Sequence, residues 1–232
     1  METLEVEGDW KNFSFHIAQR QHCHAIASHI RQHDWREDPL DKHFCNMQMR
    51  SPFYFSDSNF YGYTEQNLSL VAFDKPNGKV AGVQLNSMKP KSAVLLMAVI
   101  NKPFPVHQTR KEVAKAQLLQ RINNEESIIR KYPEIEHFIS FDKTVVAQEY
   151  RGQGLATQMW EMSIKMVKAK KCPLIACWSS NPAIHKIGKK TGFEELVKVK
   201  INEWKYFDGE RELVAPTAGE DEVVMSMVKK IN

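Results

Sequence analysis

Residues Lys143-Thr144-Val145-Val146-Ala147-Gln148-Glu149-Tyr150-Arg151-Gly152-Gln153-Gly154-Leu155-Ala156 decide the fold of this chain. The stretch begins as a β-strand and ends in a turn whose two glycines carry no side chain that would block close approach to the backbone. The apolar residues that follow the turn fit one face of a helix, namely Leu155, Met159, Met162 and Met166. A helix N-terminus offers unpaired N–H groups and the positive end of the helix dipole, so the sequence predicts a pyrophosphate site here.

The spacing Arg151-x-x-Gly154-x-Ala156 resembles the acyl-CoA-binding signature of the GNAT acetyltransferase superfamily. It is not the GxGxxG fingerprint of dinucleotide-binding proteins, because the third glycine is missing. It is not a P-loop either, because no Walker lysine follows the glycines. A glycine-rich turn of another α/β protein is the alternative interpretation. The resemblance implies acetyl-CoA as co-substrate, bound by Val145, Val146, Arg151, Gly152, Gln153, Gly154, Leu155, Ala156 and Asn181.

A second strand and helix follow at residues 174–193. Asn181 as N-cap, Pro182 at the first helical position and Gly192 just past the end predict the helix boundaries on physical grounds. The same string resembles the next GNAT motif, whose helix often supplies a tyrosine that protonates the departing thiolate. Gly188 stands at that position, so the proton must come from another residue or from water.

Within the superfamily, the chain is most similar to the insect and invertebrate arylalkylamine N-acetyltransferases. The shared features are the Glu37-Asp38-Pro39-Leu40 segment, the Tyr150-Arg151-Gly152 turn and the Ser179-Ser180 pair. The resemblance implies that Asp38, with Glu37 in reserve, is the general base, and that Ser179 and Ser180 belong to the catalytic site. Each also has a structural interpretation, because Asp38 can cap the helix that Pro39 begins, and serine hydroxyls satisfy backbone groups at strand ends.

The resemblance implies transfer of acetyl from acetyl-CoA to a small primary amine, such as dopamine, serotonin, tyramine or octopamine, without an acyl-enzyme. A carboxylate removes the ammonium proton, and a main-chain N–H near Val145 and Val146 stabilises the oxyanion. Two alternatives stay open: an acetyltransferase of protein amines, and a CoA-binding domain that has lost catalysis. The aromatic patch at residues 53–63 either lines an aryl-amine pocket or fills core.

The expected architecture is a single α/β GNAT domain over residues 1–232, with its acetyl-CoA-binding core at about 136–205. A mixed sheet of about seven strands, flanked by helices, is splayed between the fourth and fifth strands. The patterns predict strands at 13–18, 68–73, 80–85, 138–148, 197–201 and 223–228, a strand extension over 91–102, a helix over 109–131 and a loop over 206–221.

Composition limits the other functional classes. With 42% apolar residues and a net charge of +4, the chain suits a globular protein without nucleic-acid partners. It has no apolar run long enough to span a bilayer and no signal-peptide pattern, so we expect a cytoplasmic monomer that does not bind membranes. The four cysteines lack zinc-ribbon spacing, and His29 and His33 lack the glutamate of HExxH, so no metal is expected.

Overall fold

The computed structural model describes residues 8–33, 39–46, 57–92, 117–118, 122, 128–207, 212–214 and 218–231. Its strands are β1 (Gly8–Trp10), β2 (Phe13–Ile17), β3 (Leu70–Asp74), β4 (Val80–Pro90), β5 (His137–Val146), β6 (Leu174–Ser179), β7 (Glu194–Lys200), β8 (Lys205–Phe207), β9 (Glu212–Val214) and β10 (Val223–Lys230). Its helices are α1 (Cys23–His33), α2 (Pro39–Asn46), α3 (Tyr61–Glu65), α4 (Ile128–Lys131), α5 (Leu155–Ala169) and α6 (Pro182–Lys190).

Eight strands form the main sheet, in the order β1-β2-β3-β4-β5-β6-β10-β7, and β8 and β9 form a separate hairpin. All neighbouring pairs in the main sheet are antiparallel except β5 and β6, which run parallel. This mixed α/β sheet confirms the predicted fold class. The sheet has eight strands where about seven were expected, since the three-residue β1 is too short for its sequence to show a strand periodicity.

The splay lies between β5 and β6, the fourth and fifth strands of the prediction. These two fully described strands pair only at Ile139–Ile175 and Ser140–Ala176. β5 continues to Val146 while paired with β4 on its other side. The β4–β5 register shifts by one residue at Asp142, which is the extra residue of a β-bulge. The upper half of β5 therefore has one edge without a partner strand, and a cleft opens there.

Helix α5 covers one face of the sheet, with the apolar periodicity that the sequence predicts. Leu155, Met159, Met162 and Met166 are all buried against β2, β3 and β4. Trp160, fully buried on the same helix, lies against the rings of Phe141 and Phe193. Helix α1 covers the opposite face, where Ile26, Ala27 and Ile30 pack against Val83 and Val145. The two helices therefore enclose the strand that borders the cleft.

A buried hydrogen-bond circuit joins α5 to β4 and β5 and returns to α5. Trp160 Nε1 donates to Thr144 Oγ1 (2.8 Å), and that hydroxyl donates to Gln84 Oε1 (2.6 Å). Gln84 Nε2 donates to Asn86 Oδ1 (2.8 Å), and Asn86 Nδ2 donates to Ser163 Oγ (3.0 Å) on α5. Because buried polar groups are costly when unpaired, the circuit favours one arrangement of helix and strands.

Two local predictions were wrong. Residues 206–221 were expected to form a loop, yet the hairpin of β8 and β9 falls partly within them, and strands of three residues show too little alternation to be recognised. The extension of the sheet over 91–102 fails at its start, because Lys91 and Ser92 are helical; residues 93–102 lie outside the described ones. Of the expected helix over 109–131, residues 117–118, 122 and Ile128–Lys131 are described, and all are helical.

Replacing Trp160 by alanine is expected to destabilise the fold strongly. The substitution leaves a large cavity between α5 and β5 and removes the donor to Thr144, so the free energy of unfolding falls by about 3–5 kcal/mol. Urea denaturation followed by circular dichroism measures it. Met88→Ala, at an exposed apolar side chain on β4, is the control and stays within about 0.5 kcal/mol of the parent. Equal losses in the two variants would contradict the packing argument.

Candidate acyl-CoA and amine site

A cavity of about 770 Å³ occupies the cleft between β5 and β6 and extends to the N-terminus of α5 and the first turns of α6. Its walls combine strand backbone, glycine turn and helix ends. Residues along them include His33, Asp142, Lys143, Thr144, Val145, Val146, Tyr150, Arg151, Gly152, Gly154, Leu155, Ala156, Cys177, Trp178, Ser179, Asn181 and Lys186. The cavity brings together all of the predicted cofactor-binding residues except Gln153.

The glycine turn leaves the first turn of α5 open. Gly152 and Gly154 have φ angles of 75° and 91°, in the left-handed region that favours glycine. Gly154 is the N-cap of α5 and has no side chain to accept from the first N–H groups. The first turn also contains no acidic residue that would repel an anion. The N–H groups of this turn can therefore bind phosphate oxygens.

Contacts from three directions fix the turn. Tyr150 Oη donates to Asp74 Oδ2 at the end of β3 (2.9 Å). Arg151 Nε donates to the Val146 carbonyl (2.9 Å), which folds the side chain back over the end of β5. From the β1–β2 turn, Lys11 Nζ donates to the Gln153 carbonyl (3.0 Å). The glycine turn and the N-terminus of α5 are thus held in place by contacts with β3, with the end of β5 and with the β1–β2 turn.

The backbone of β5 supplies N–H groups to the cleft. Ala147 N donates to the Ala81 carbonyl, on the β4 side (3.0 Å). Successive N–H groups of an extended strand point to opposite sides, so those of Val146 and Thr144 point away from β4, toward the cleft. The N–H of Val145 points toward β4. Of the two valines predicted to bind the cofactor, Val146 is therefore the one whose N–H faces the cavity.

Helix α6 begins as the sequence predicts. Asn181 Oδ1 accepts from Ala183 N (2.9 Å), and Pro182 occupies the first helical position. Gly188 is buried, and a Cβ there would lie 2.7 Å from Met227 Sδ on β10. The position that the resemblance aligns with a tyrosine therefore faces β10, where a larger side chain would require the flexible Met227 side chain to shift.

The two serines have different neighbours. Ser179 lines the cavity, and its Oγ accepts from Asn181 N (3.0 Å). Ser180 is buried, and its Oγ accepts from Leu40 N (3.4 Å) in the first turn of α2. Both hydroxyls accept from backbone N–H groups, as in the structural interpretation of the pair, and Ser180 also links β6 to α2. Their catalytic role stays a prediction.

Asp38 and Glu37 lie outside the described residues, as do residues 53–55 of the aromatic patch. The helix that follows the two carboxylates is described and well anchored. Leu40 is buried in the core, its N–H bonds to Ser180, and His43 Nε2 lies 2.5 Å from Glu222 Oε2. The chain directly after the predicted base thus contacts the end of β6 beside the cavity.

Sequence reasoning missed several residues of the cavity, chiefly Asp142, Cys177 and His33. A carboxylate in the middle of β5, directly after Phe141, was the available signal for Asp142. Burial, together with the nearby negative charge of Asp142, raises the pKa of the Cys177 thiol to about 12. Cys177 therefore stays protonated at neutral pH and is a poor nucleophile, although it lines the cavity.

The part of the chain that the structure describes contains no group of three or more metal-ligating side chains that could hold an ion. Nor does any helix in those ranges combine the length and apolar character needed to cross a membrane.

His29 lies directly behind the cleft and makes the stability of the protein depend on pH. Its Nε2 is 3.3 Å from the Val145 carbonyl. Burial, reinforced by neighbouring His33, lowers the pKa of His29 from 6.5 to about 4. The unfolded chain therefore binds a proton near pH 6.5 that the folded protein takes up only near pH 4.

Stability is expected to be complete above pH 6.5 and to fall as the pH drops from 6.5 to 4, by on the order of 3 kcal/mol from His29 alone. Urea denaturation at several pH values measures the slope. His29→Gln, which keeps a donor but cannot titrate, flattens the profile in this window. An unchanged slope in that variant would contradict the assignment to His29.

The structure is similar to solved N-acetyltransferases over nearly its whole length. An apo mutant of agmatine N-acetyltransferase aligns with a TM-score of 0.77 at 12% identity, covering 95% of this chain and 100% of the other. Arylalkylamine N-acetyltransferase 2 from Aedes aegypti gives a TM-score of 0.74 at 18% identity, covering 96% and 100%. The NatC complex bound to Gag peptide and CoA gives 0.54 at 12% identity, covering 96% and 100%.

No protein-family model and no curated protein sequence matches the chain. The likeness is therefore one of architecture at low sequence identity, and it extends over the same β5–α5 and β6–α6 units from which the resemblance was inferred. The fold predicted from residues 143–156 and 174–193 is confirmed: this chain has the fold of the GNAT N-acetyltransferases, and arylalkylamine and polyamine enzymes are among the structures most like it.

Proposed function

We propose that the protein is an N-acetyltransferase that transfers acetyl from acetyl-CoA to a small primary amine. The observation that carries the proposal is the cavity between the diverging strands β5 and β6, which is bordered by the glycine-capped N-terminus of α5. Such a cleft offers strand N–H groups to an amide-containing arm and helix N–H groups to its phosphates. We also propose that residues 1–232 act as one domain, as a cytoplasmic monomer.

The residues of the cavity fit CoA chemically. The N–H groups of the first turn of α5 would hold the pyrophosphate, and Gly152 and Gly154 would allow it to approach the backbone. The backbone N–H groups of Thr144 and Val146 would donate hydrogen bonds to the pantetheine arm or to the acyl carbonyl. Cationic side chains of Arg151 and Lys186 along the wall suit the phosphates.

The thioester of acetyl-CoA supplies an activated acyl group, and the chain's own residues do the rest. Asp38, or Glu37 in its place, accepts a proton from the ammonium, so that the nitrogen lone pair is available for attack. As the new C–N bond forms and the C–S bond breaks, the N–H of Thr144 or Val146 stabilises negative charge on the carbonyl oxygen. The thiolate leaves and is protonated by water or by another residue, since Gly188 offers no acid. No acyl-enzyme is needed.

The amine is proposed to be an arylalkylamine. Support comes from the Glu37-Asp38-Pro39-Leu40 segment, the paired serines and the architecture shared with an arylalkylamine enzyme. The agmatine enzyme of similar architecture makes a cationic aliphatic amine the second class to test. A CoA-binding protein without catalysis is the rival function, favoured by the glycine at 188.

The first test measures thiol release from acetyl-CoA with tyramine, dopamine, serotonin, octopamine, agmatine and a lysine peptide. We expect turnover with an amine of the first four. In one of Asp38→Ala and Glu37→Ala, kcat is expected to fall by roughly 100-fold or more, because the general base is gone. Each carboxylate variant is the control for the other. If acetyl-CoA raises the melting temperature but no acceptor releases thiol, the rival function is favoured.

Gly154→Ala is expected to weaken CoA binding about tenfold. At Gly154, whose φ is 91°, a non-glycine residue costs about 1–2 kcal/mol of backbone strain, and relief of that strain would move the turn; the new Cβ itself would make only an ordinary contact with the Trp10 ring, at 3.5 Å. Isothermal titration calorimetry with CoA measures the dissociation constant. Gly62→Ala, where a Cβ meets nothing within 4 Å, is the matched control. Equal affinities would argue against a phosphate site at this turn.

A further inference from the structure

The described wall of the cavity carries one carboxylate, that of Asp142, among several cationic and apolar side chains. Its side chain is 18% exposed, so the group is largely removed from bulk water while still lining the cavity. An isolated buried charge is costly, and a carboxylate at such a position needs donors or a cation. Asp142 is not part of the glycine turn. It is also distinct from Asp38 and Glu37, the two carboxylates predicted to act as general base.

The bulge in β5 and three hydroxyl groups orient this carboxylate. As the extra residue of the bulge, Asp142 has no partner across β4. Ser140 Oγ donates to Oδ1 (2.6 Å), Ser87 donates to Oδ2, and Tyr63 also hydrogen-bonds to the group. Burial, with the nearby Asp142 charge, raises the pKa of Tyr63 far above its usual value, so its phenol remains a donor.

An ionised carboxylate has about four acceptor positions. Among the described residues, the hydroxyls of Ser140, Ser87 and Tyr63 use three of them. Lys89 Nζ lies 4.0 Å from Oδ2, beyond hydrogen-bond distance, and its side chain is 36% exposed. Lys89 is therefore a loosely held counter-ion that another cation can displace.

We propose that Asp142 binds the ammonium group of the acceptor amine. This inference rests on the proposed function and adds to it a residue that recognises the acceptor. A primary aliphatic amine is mostly protonated at neutral pH, and a largely buried carboxylate whose donors among the described residues fill three of its four acceptor positions is the matching partner. Thr144, whose N–H faces the cleft, lies two positions after Asp142, about 7 Å along the strand. Asp142 thus holds the acceptor beside the acyl group, and the predicted base removes the proton.

The test is Asp142→Asn, which keeps the shape of the side chain and removes its charge. Steady-state kinetics with the best amine are expected to show an amine KM raised at least about tenfold, with kcat within about threefold and the KM for acetyl-CoA unchanged. Lys89→Gln, which removes the competing cation, lowers the amine KM. Opposite effects of the two variants are not expected if Asp142 only supports the bulge. Asp9→Asn, at an exposed ion pair with Lys75, is the control and changes neither constant.

An unchanged amine KM in Asp142→Asn overturns the proposal, and so does a loss of kcat alone. If the parent protein acetylates no amine, the proposed function fails separately. Calorimetry then decides the role of Asp142: tyramine and agmatine are titrated into the parent and Asp142→Asn, both saturated with CoA. Binding that is lost in the variant supports the proposal. Equal binding, or none in the parent, overturns it.

Discussion

The site depends on the separation of two parallel strands. β5 and β6 pair at Ile139–Ile175 and Ser140–Ala176 and then diverge, so the upper half of β5 has a polar edge inside the molecule. A free edge is normally unfavourable in the interior, because buried N–H and C=O groups need partners. It persists here because each strand is held from its other side, β5 by β4 and β6 by β10. The cleft is therefore fixed by the strand pairing on both of its sides. Its unpaired N–H and C=O groups suit a ligand that itself carries amide groups.

Two kinds of binding surface meet at this cleft. The glycine turn and the first turn of α5 offer N–H groups and positive charge, whereas the bulge on the opposite face of β5 offers a carboxylate held by hydroxyls. Anionic and cationic ligands would thus enter from different faces of the same strand and meet at its edge. The bulge at Asp142 interrupts the regular alternation of β5, and its carboxylate lies among the hydroxyls of Ser140, Ser87 and Tyr63.

Local signals made the glycine turn and the two helices beside the cavity predictable. The glycine spacing, the apolar period of α5 and the Asn181–Pro182 start of α6 all act within a few residues, and each keeps its expected place in the structure. The surroundings of Asp142 and Ser180 could not be predicted from the sequence in the same way. The contacts of Asp142 with Ser87 and of Ser180 with Leu40 join residues 55 and 140 positions apart. Such contacts depend on strand register and helix docking, which no local pattern specifies.

The buried circuit through Trp160, Thr144, Gln84, Asn86 and Ser163 has both of its ends on α5. A helix can slide over an apolar sheet with little change in buried area. If α5 shifted by one residue, however, it would rotate by 100° and move 1.5 Å along its axis, and the hydrogen bonds of Trp160 and Ser163 would both break. The circuit therefore fixes the rotation of α5 about its own axis. It sets which N–H groups of the first turn of α5 face the cleft, so the direction of the donors in the proposed phosphate site is fixed by side chains one and two turns along the helix.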